Sequence, residues 1–286
     1  MSKTTLSNCV KRIKESPTLA ITAKAAKLKS EGKDIIGLAA GEPDFDTPDF
    51  IKKAAIKAIN DGLTKYTPVS GLPSLKKAIV EKFKRDNNLD YQTNEVIAGV
   101  GGKQCIFNLF LALLNPNDEV IIPTPYWVSY TDIVELTGAI PLLIHCGIDQ
   151  SFKMTPEELE KKINKKTKLV ILNSPSNPTG STYSKNELKK LADVLIKYPD
   201  IYIMTDDIYE HIRLDEEPFN NIVMVEPKLK SRCIIINGVS KAYSMTGWRI
   251  GFAAGPKEII SGMTILQSQS TSNPTSISQA AAEAAL

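Results

Sequence analysis

The chain has 286 residues, of which 42% are hydrophobic and 23% are charged, a composition typical of a globular protein that can bury a large core. Its 35 lysines and arginines against 32 aspartates and glutamates give a net charge of +3, which does not favour binding to nucleic acid or to an anionic membrane. The longest apolar stretch, residues 106–114, is too short to cross a bilayer.

The N-terminal residues and the cysteines indicate where the protein resides. The first 16 residues are polar and contain no apolar segment of the kind found in a secretory signal peptide. The four cysteines show no C-x-x-C spacing and the chain has only two histidines, so we expect no metal site. Free thiols are compatible with the reducing cytosol, and we predict a cytoplasmic protein.

The stretch up to Pro48 differs from the rest of the chain. It contains one helical segment at residues 19–30, an extended segment at 35–38 and a turn-rich segment at 41–48. We therefore predict that residues 1–48 form an N-terminal arm and part of an incomplete small domain, and that residues 49–286 form a large domain.

Beyond Pro48, apolar runs alternate with segments of helical periodicity. The predicted strands are residues 95–98, 119–122, 142–145, 168–172, 201–205 and 233–236. The predicted helices are residues 50–61, 71–87, 103–114, 130–137, 156–163 and 185–197. This alternation predicts an α/β fold with a mostly parallel central sheet.

A glycine-rich loop, residues 99–104, follows the first predicted strand and opens a helix. Backbone N–H groups at a helix N-terminus bind anions, and glycine lets a ligand approach closely. The spacing fits neither a dinucleotide fingerprint, which needs glycine where Gln104 stands, nor a Walker A loop, which needs glycine where Ile97 stands. The loop is therefore either a phosphate cradle or a turn that caps the helix.

Two further strands are followed by turns that contain candidate ligand-binding residues. Residues 123–127 end in Trp127, which either stacks on a planar ligand or belongs to the core. Residues 173–180 form a turn by their local sequence and follow the strand at 168–172.

Asp206 and Asp207 follow the apolar strand at residues 201–205. A carboxylate at the end of a buried strand costs free energy unless it is paired. The pattern predicts either a cationic ligand group beside Asp206 or a carboxylate that caps a helix.

Lys241 follows the apolar strand at residues 233–236, where ligands of open α/β sheets bind. A desolvated lysine loses its proton readily and can form a Schiff base with a carbonyl. Arg249, eight residues further on, offers a planar fork suited to a phosphate. Aldehyde chemistry beside a phosphate anchor indicates pyridoxal phosphate (PLP) as the cofactor.

Residues 238–251 resemble the PLP-attachment signature of class I aminotransferases, through Gly238, Ser240, Lys241, Gly247 and Arg249. The similarity extends from about residue 7 to the end of the chain. It implies the large domain of the PLP-dependent transferase fold, as found in class I aminotransferases of the aspartate type.

The resemblance also implies residue roles. The residues that it assigns to cofactor binding are Tyr66, Gly101, Gly102, Lys103, Trp127, Asn177, Asp206, Tyr209, Ser240, Lys241 and Arg249. Lys241, Asp206 and Tyr209 are the implied catalytic residues, with Lys241 holding PLP and Asp206 pairing with its ring nitrogen. Asn177 would hydrogen-bond the phenolic oxygen of PLP, and Trp127 would stack on its ring.

The implied reaction is transamination between an amino acid, aspartate by overall resemblance, and a 2-oxo acid, with prephenate as an acceptor if Lys14 acts on the substrate. Gly41, Trp127, Asn177 and Lys14 are the implied substrate-binding residues, although Lys14 is nearly as well explained as a solvated lysine. Tyr66 resembles a tyrosine that reaches the neighbouring subunit's phosphate, which implies a homodimer with shared sites.

The C-terminal residues differ from the resembled family in two ways. Residues 280–286 favour a helix that ends without a cap, so we expect it to be cut short. None of the other four arginines, Arg12, Arg85, Arg213 and Arg232, lies where the family has the arginine that binds the substrate α-carboxylate. Beside transamination, the sequence alone therefore leaves two alternatives open: a fragment that binds PLP with little turnover, or a lyase or synthase of the same fold.

Overall fold

Seven strands form one mixed sheet in the computed structural model, which describes residues 5–15, 17–38, 41–214 and 217–286. The strands are β1 (Val96–Val100), β2 (Glu119–Thr124), β3 (Ile140–His145), β4 (Thr167–Asn173), β5 (Tyr202–Asp206), β6 (Cys233–Gly238) and β7 (Ile250–Ala254). Their order is β1-β7-β6-β5-β4-β2-β3, and only β7 runs antiparallel to its neighbours. The mostly parallel α/β sheet and all six predicted strands are confirmed, with bounds that differ by no more than two residues.

The described part of the chain contains eleven α-helices, and those that pack on the sheet cover both of its faces. They are α1 (Asn8–Lys11), α2 (Pro17–Ser30), α3 (Asp49–Asn60), α4 (Pro73–Asn87), α5 (Gly102–Leu113), α6 (Ser129–Thr137), α7 (Pro156–Lys162), α8 (Lys185–Ile196), α9 (Ile222–Val225), α10 (Lys257–Ser268) and α11 (Ser276–Ala285). Local sequence fixes several ends: Thr155 and Ser184 form capping boxes at α7 and α8, and Gly138 ends α6 with φ of 85°. None of these helices is both long enough and apolar enough to span a membrane.

The sheet separates two apolar layers. On β6, Ile234 and Ile236 face a layer with α5, α6 and α10, whereas Cys233 and Ile235 face a layer with α4 and α8. Strands covered on both faces need apolar residues at every position, which is why they were recognisable as continuous apolar runs.

Strand β7 was not predicted. It lies between β1 and β6 and aligns Gly251 with Gly99 on one side and Gly238 on the other. A Cβ atom on Gly251 would overlap the backbone of Gly101 and Gly102. The row of glycines therefore lets the start of α5 lie directly on the sheet.

The N-terminal segment makes fewer contacts than the rest. Helix α2 is present where it was predicted, but residues 35–38 form no strand, and Leu38 is 90% exposed. Thr47 holds the turn-rich segment to the large domain, because its hydroxyl donates to Ser244 O at 2.6 Å and accepts from Trp248 Nε1 at 3.0 Å. The division at Pro48 stays a prediction.

Candidate active site

A cavity of about 580 Å³ opens at the carboxyl ends of the parallel strands. This is the edge where ligands bind in open α/β sheets. The residues of predicted function that line it are Gly41, Gly102, Lys103, Trp127, Asn177, Asp206, Tyr209, Ser240, Lys241 and Arg249. Residues far apart in the sequence thus share one pocket.

Lys241 lies beyond the end of β6, and its amine donates a hydrogen bond to the carbonyl oxygen of Gly41. Its Nζ is 5.8 Å from the centroid of the Tyr209 ring. Burial lowers the pKa of Lys241, and the charge of Arg249 lowers it further, while Glu42 opposes both. A larger share of the amine is therefore neutral, as a nucleophile requires.

Asp206 ends β5 and is 6% exposed. Tyr130 donates its phenol to Asp206 Oδ2 at 2.7 Å, and Asn173 Nδ2 donates to the backbone oxygen of Asp206 at 2.8 Å. Burial raises the pKa of Asp206 to about 6, although hydrogen bonds from Tyr130 and the backbone N–H of Ile208 lower it. No helix begins here, since residues 208–211 form a turn, so the helix-cap interpretation of Asp206 is wrong.

A candidate anion site lies where α5 begins. Gly101 precedes the helix with φ of 80°, and a Cβ atom at Gly101 would overlap the guanidinium of Arg249. Arg249 Nη1 also donates to Thr246 O at 2.9 Å. The turn that starts the helix is confirmed, whereas the phosphate cradle stays a prediction, supported by the guanidinium beside the N-terminus of α5.

Asn177, Tyr209 and Trp127 lie on the remaining walls. The backbone N–H of Asn177 donates to Asn173 Oδ1 at 2.8 Å, which fixes the turn after β4. Burial raises the pKa of Tyr209, as does the charge of Asp206, whereas a hydrogen bond with the Asn177 side chain lowers it. The Trp127 ring packs edge-on against Tyr130, with centroids 5.3 Å apart, and Lys103 Nζ lies 4.8 Å from the centroid of that ring.

Two predicted residues lie elsewhere. The side chain of Lys14 is exposed in the N-terminal segment, and Tyr66 is 93% exposed on the loop before α4. Conversely, sequence reasoning gave no role to Tyr130 and Asn173, which hold Asp206 and Asn177 in place. Tyr130 lies three and four positions before Ile133 and Val134 on the buried face of α6, so its sequence indicates only a core position.

The side chains of this pocket suit a ligand that carries three different functional groups. Asp206 forms no salt bridge to any residue that the structure describes, so it is a buried carboxylate available to a cation. The loop at Gly101 together with Arg249 can bind a phosphate, and the Lys241 amine can form a Schiff base with an aldehyde. PLP carries a basic ring nitrogen, a phosphate and an aldehyde, and the residues present fit it.

Comparison with known proteins agrees with this chemistry. Residues 33–286 match the family of class I and II aminotransferases. The aspartate/prephenate aminotransferase of Nitrosomonas europaea is 60% identical over 281 residues, which are 98% of this chain and 71% of that protein. An aspartate/prephenate aminotransferase of Cereibacter sphaeroides is 55% identical, with 98% of this chain and 70% of that protein aligned.

Solved structures show the same architecture. The aspartate aminotransferase of Rhizobium meliloti superposes with a TM-score of 0.95 at 50% identity and covers 99% of this chain, which spans 71% of that chain. The aspartate aminotransferase of Thermus thermophilus with maleate gives a TM-score of 0.95 at 43% identity, with 99% of this chain and 73% of that chain covered.

Proposed function

The chain belongs to the class I and II aminotransferase family, and on this premise we propose that it transfers the amino group of aspartate to 2-oxo acids, including prephenate. Class I and II aminotransferases use PLP, which is therefore the cofactor of this chain. The observation that carries the proposal is the convergence of Lys241, Asp206 and Arg249 on one cavity.

Each end of the cofactor has a proposed partner in this cavity. Arg249 and the N–H groups that follow Gly101 would hold the phosphate, with Ser240 and Lys103 beside them. Asp206 would pair with the ring nitrogen, while Trp127 would cover the ring face. Asn177 and Tyr209, which hydrogen-bond each other, would reach the phenolic oxygen.

The bound cofactor supplies an electron sink that acidifies the α-carbon of the amino acid. Lys241 then moves the α-proton, because its amine is partly neutral and lies in the same cavity as the ring-binding residues. Asp206 keeps the ring nitrogen protonated, since its buried carboxylate gains a cationic partner. Tyr130 fixes the orientation of that carboxylate.

The proposed substrate follows from the relatives. Aspartate and prephenate are in the names of the relatives that are 60% and 55% identical. We further assign Gly41, Trp127 and Asn177 to substrate contacts, and Lys14, although it is exposed outside the cavity in this structure, to the distal carboxylate of the substrate.

A homodimer in the cytoplasm is part of the same proposal. Tyr66 is a large aromatic residue that is almost fully exposed, and its loop is held in place, with Gln279 Nε2 donating to Thr67 Oγ1 at 2.9 Å. A rigid loop with an exposed phenol is suited to reach a second copy of the chain, where it would contact the phosphate. Residues 1–48 would form the arm and part of the small domain, and residues 49–286 the large domain.

The test combines covalent labelling with an amino-transfer assay. Borohydride reduction of the PLP-loaded protein should fix the label on the peptide that contains Lys241, and Lys241→Ala should abolish it. Lys76→Ala is the matched control, because burial also lowers the pKa of Lys76 but Lys76 lies outside the cavity. Formation of glutamate from aspartate and 2-oxoglutarate distinguishes transamination from a lyase or synthase, and labelling at another lysine would refute the site.

A further inference from the structure

The turn that carries Tyr209 into the cavity has two sides with different environments. Ile208 and Tyr209 line the cavity, whereas Asp207 and Glu210 are buried beneath it, outside the lining. Within the turn, Glu210 N donates to Asp207 O at 3.0 Å and Ile212 N donates to Tyr209 O at 2.8 Å. Asp207 N also donates to Ile236 O at 2.9 Å, which ties the start of the turn to β6. Beyond that point the side chains of the turn contribute to its fixed conformation.

Helix α4 contributes a buried cation to the underside of the turn. The side chain of Lys82 is 2% exposed, and its ammonium forms an ion pair with Glu210. Asn87 joins both partners: its Oδ1 accepts from Lys82 Nζ at 2.8 Å, and its Nδ2 donates to Glu210 Oε2 at 3.0 Å. Asp86 lies 3.8 Å from Lys82 Nζ. A buried lysine with this many partners is fully committed to one geometry.

Charge on Glu210 is maintained despite its burial. Desolvation raises the pKa of Glu210, but His211, Lys82 and Asn87 together outweigh it and hold the pKa at about 2. His211 Nε2 lies 3.0 Å from Glu210 Oε1 and reaches the same group from the exposed side. The carboxylate is therefore ionised across the physiological range.

Asp207 anchors the other end of the turn. Thr205 Oγ1 donates to Asp207 Oδ1 at 2.6 Å, and Asn221 Nδ2 donates to Asp207 Oδ2 at 2.7 Å. The turn is consequently held at both ends by buried polar contacts that do not touch the cavity, and Tyr209 lies between these contacts.

Stability alone does not explain the ion pair, since replacing a buried pair with apolar residues is often neutral or stabilising. The role best supported for buried ion pairs is the selection of a single conformation. We propose that Lys82 and Glu210 are positioning residues, which set the place of the Tyr209 phenol beside Asn177 and Lys241. This inference rests on the proposed function, because the phenol matters only if the cavity holds PLP.

The test measures the pH midpoint of the visible absorbance of the PLP-loaded protein. A phenol that donates to the anionic cofactor oxygen stabilises the anion, so a displaced Tyr209 raises the midpoint. In Lys82→Met/Glu210→Met we expect a rise of about one pH unit, with a melting temperature within about 3 °C of wild type. Glu210→Gln, which keeps the shape of the side chain, should shift the midpoint in the same direction, and it decides the outcome if the double variant does not fold.

Two controls separate positioning from a general effect on the fold. In the Tyr209→Phe background the same double variant should no longer move the midpoint, because the group through which it acts is absent. Lys189→Met/Glu226→Met removes an ion pair of 3.0 Å outside the cavity and should leave the midpoint unchanged.

The inference is overturned if Lys82→Met/Glu210→Met and Glu210→Gln both keep the wild-type pH midpoint. It is also overturned if the double variant shifts the midpoint equally in the wild-type and Tyr209→Phe backgrounds. Wild-type protein with no PLP band that borohydride fixes on Lys241 would instead refute the proposed function itself.

Discussion

Neutralising Asp206 is the sharpest perturbation of the proposed site. Asp206→Asn keeps the volume of the side chain and an oxygen for the Tyr130 phenol, but it removes the charge. The carboxylate lies in a buried site, where two opposite charges at about 4 Å attract by about 4 kcal/mol at an effective dielectric constant of about 20. If that attraction is realised when charge develops on the ring, its loss slows proton abstraction by roughly 10³-fold.

The assay is the half-reaction of the PLP-loaded protein with aspartate, followed by stopped-flow absorbance. Asp207→Asn is the matched control: Asp207 is also buried, and burial raises its pKa to about 7, but its oxygens bind Thr205 and Asn221 outside the cavity. We expect the control to slow the half-reaction by less than about tenfold, the loss of about one hydrogen bond. An Asp206→Asn rate within about tenfold of wild type, with PLP bound, would show that the charge of Asp206 does not act on the ring.

Three further predictions concern stability, the phosphate site and assembly. Without PLP, the raised pKa of Asp206 favours folding at low pH and this stabilisation is lost as the pH rises from 3.8 to about 6. The unfolding free energy of wild type should therefore fall by about 3 kcal/mol relative to Asp206→Asn over that range in urea titrations, and a constant difference would contradict the burial. Gly101→Ala should displace the Arg249 guanidinium and weaken the affinity for PLP about 10- to 100-fold, measured by equilibrium dialysis. Gly251→Ala should instead prevent folding, because its Cβ atom would overlap backbone atoms. An unchanged PLP affinity in folded Gly101→Ala would refute the phosphate cradle. Wild type should be a dimer by light scattering, and Tyr66→Phe should weaken its affinity for PLP about tenfold or more. A wild-type monomer that binds PLP tightly would exclude the shared site.

Much of the fold was predictable because parallel strands covered on both faces need continuous apolar runs. Strand β7 was missed for the opposite reason. Its five residues include Gly251 and two alanines, which have low strand propensity. These small residues are needed where Gly251 aligns with Gly99 and Gly238 beneath the start of α5, a contact between distant segments that no local pattern reveals.

The cavity was predictable where a residue's chemistry conflicts with its local setting. Asp206 ends the buried strand β5 and Lys241 follows the buried strand β6, where charge is costly, so the sequence itself marks them as candidate functional residues. Tyr130 has no such conflict, because an aromatic residue that shares a helix face with Ile133 and Val134 is an ordinary core residue. Lys82 was missed for a similar reason: it follows Glu81 on an amphipathic helix and looks solvated, although its partner Glu210 is 128 positions away.

Under the proposed function, the arrangement of charge within the cavity would favour one orientation of the cofactor. Arg249 and the start of α5 form a cationic end, whereas Asp206 is a buried carboxylate at the end of β5 with no salt bridge among the described residues. A phosphate lowers the free energy only at the cationic end, and a protonated ring nitrogen only beside Asp206. A ligand with both groups is therefore fixed at two points. Its reactive carbon then need only meet Lys241, whose lowered pKa keeps part of the amine neutral. Binding energy at the two ends thus orients the chemistry between them.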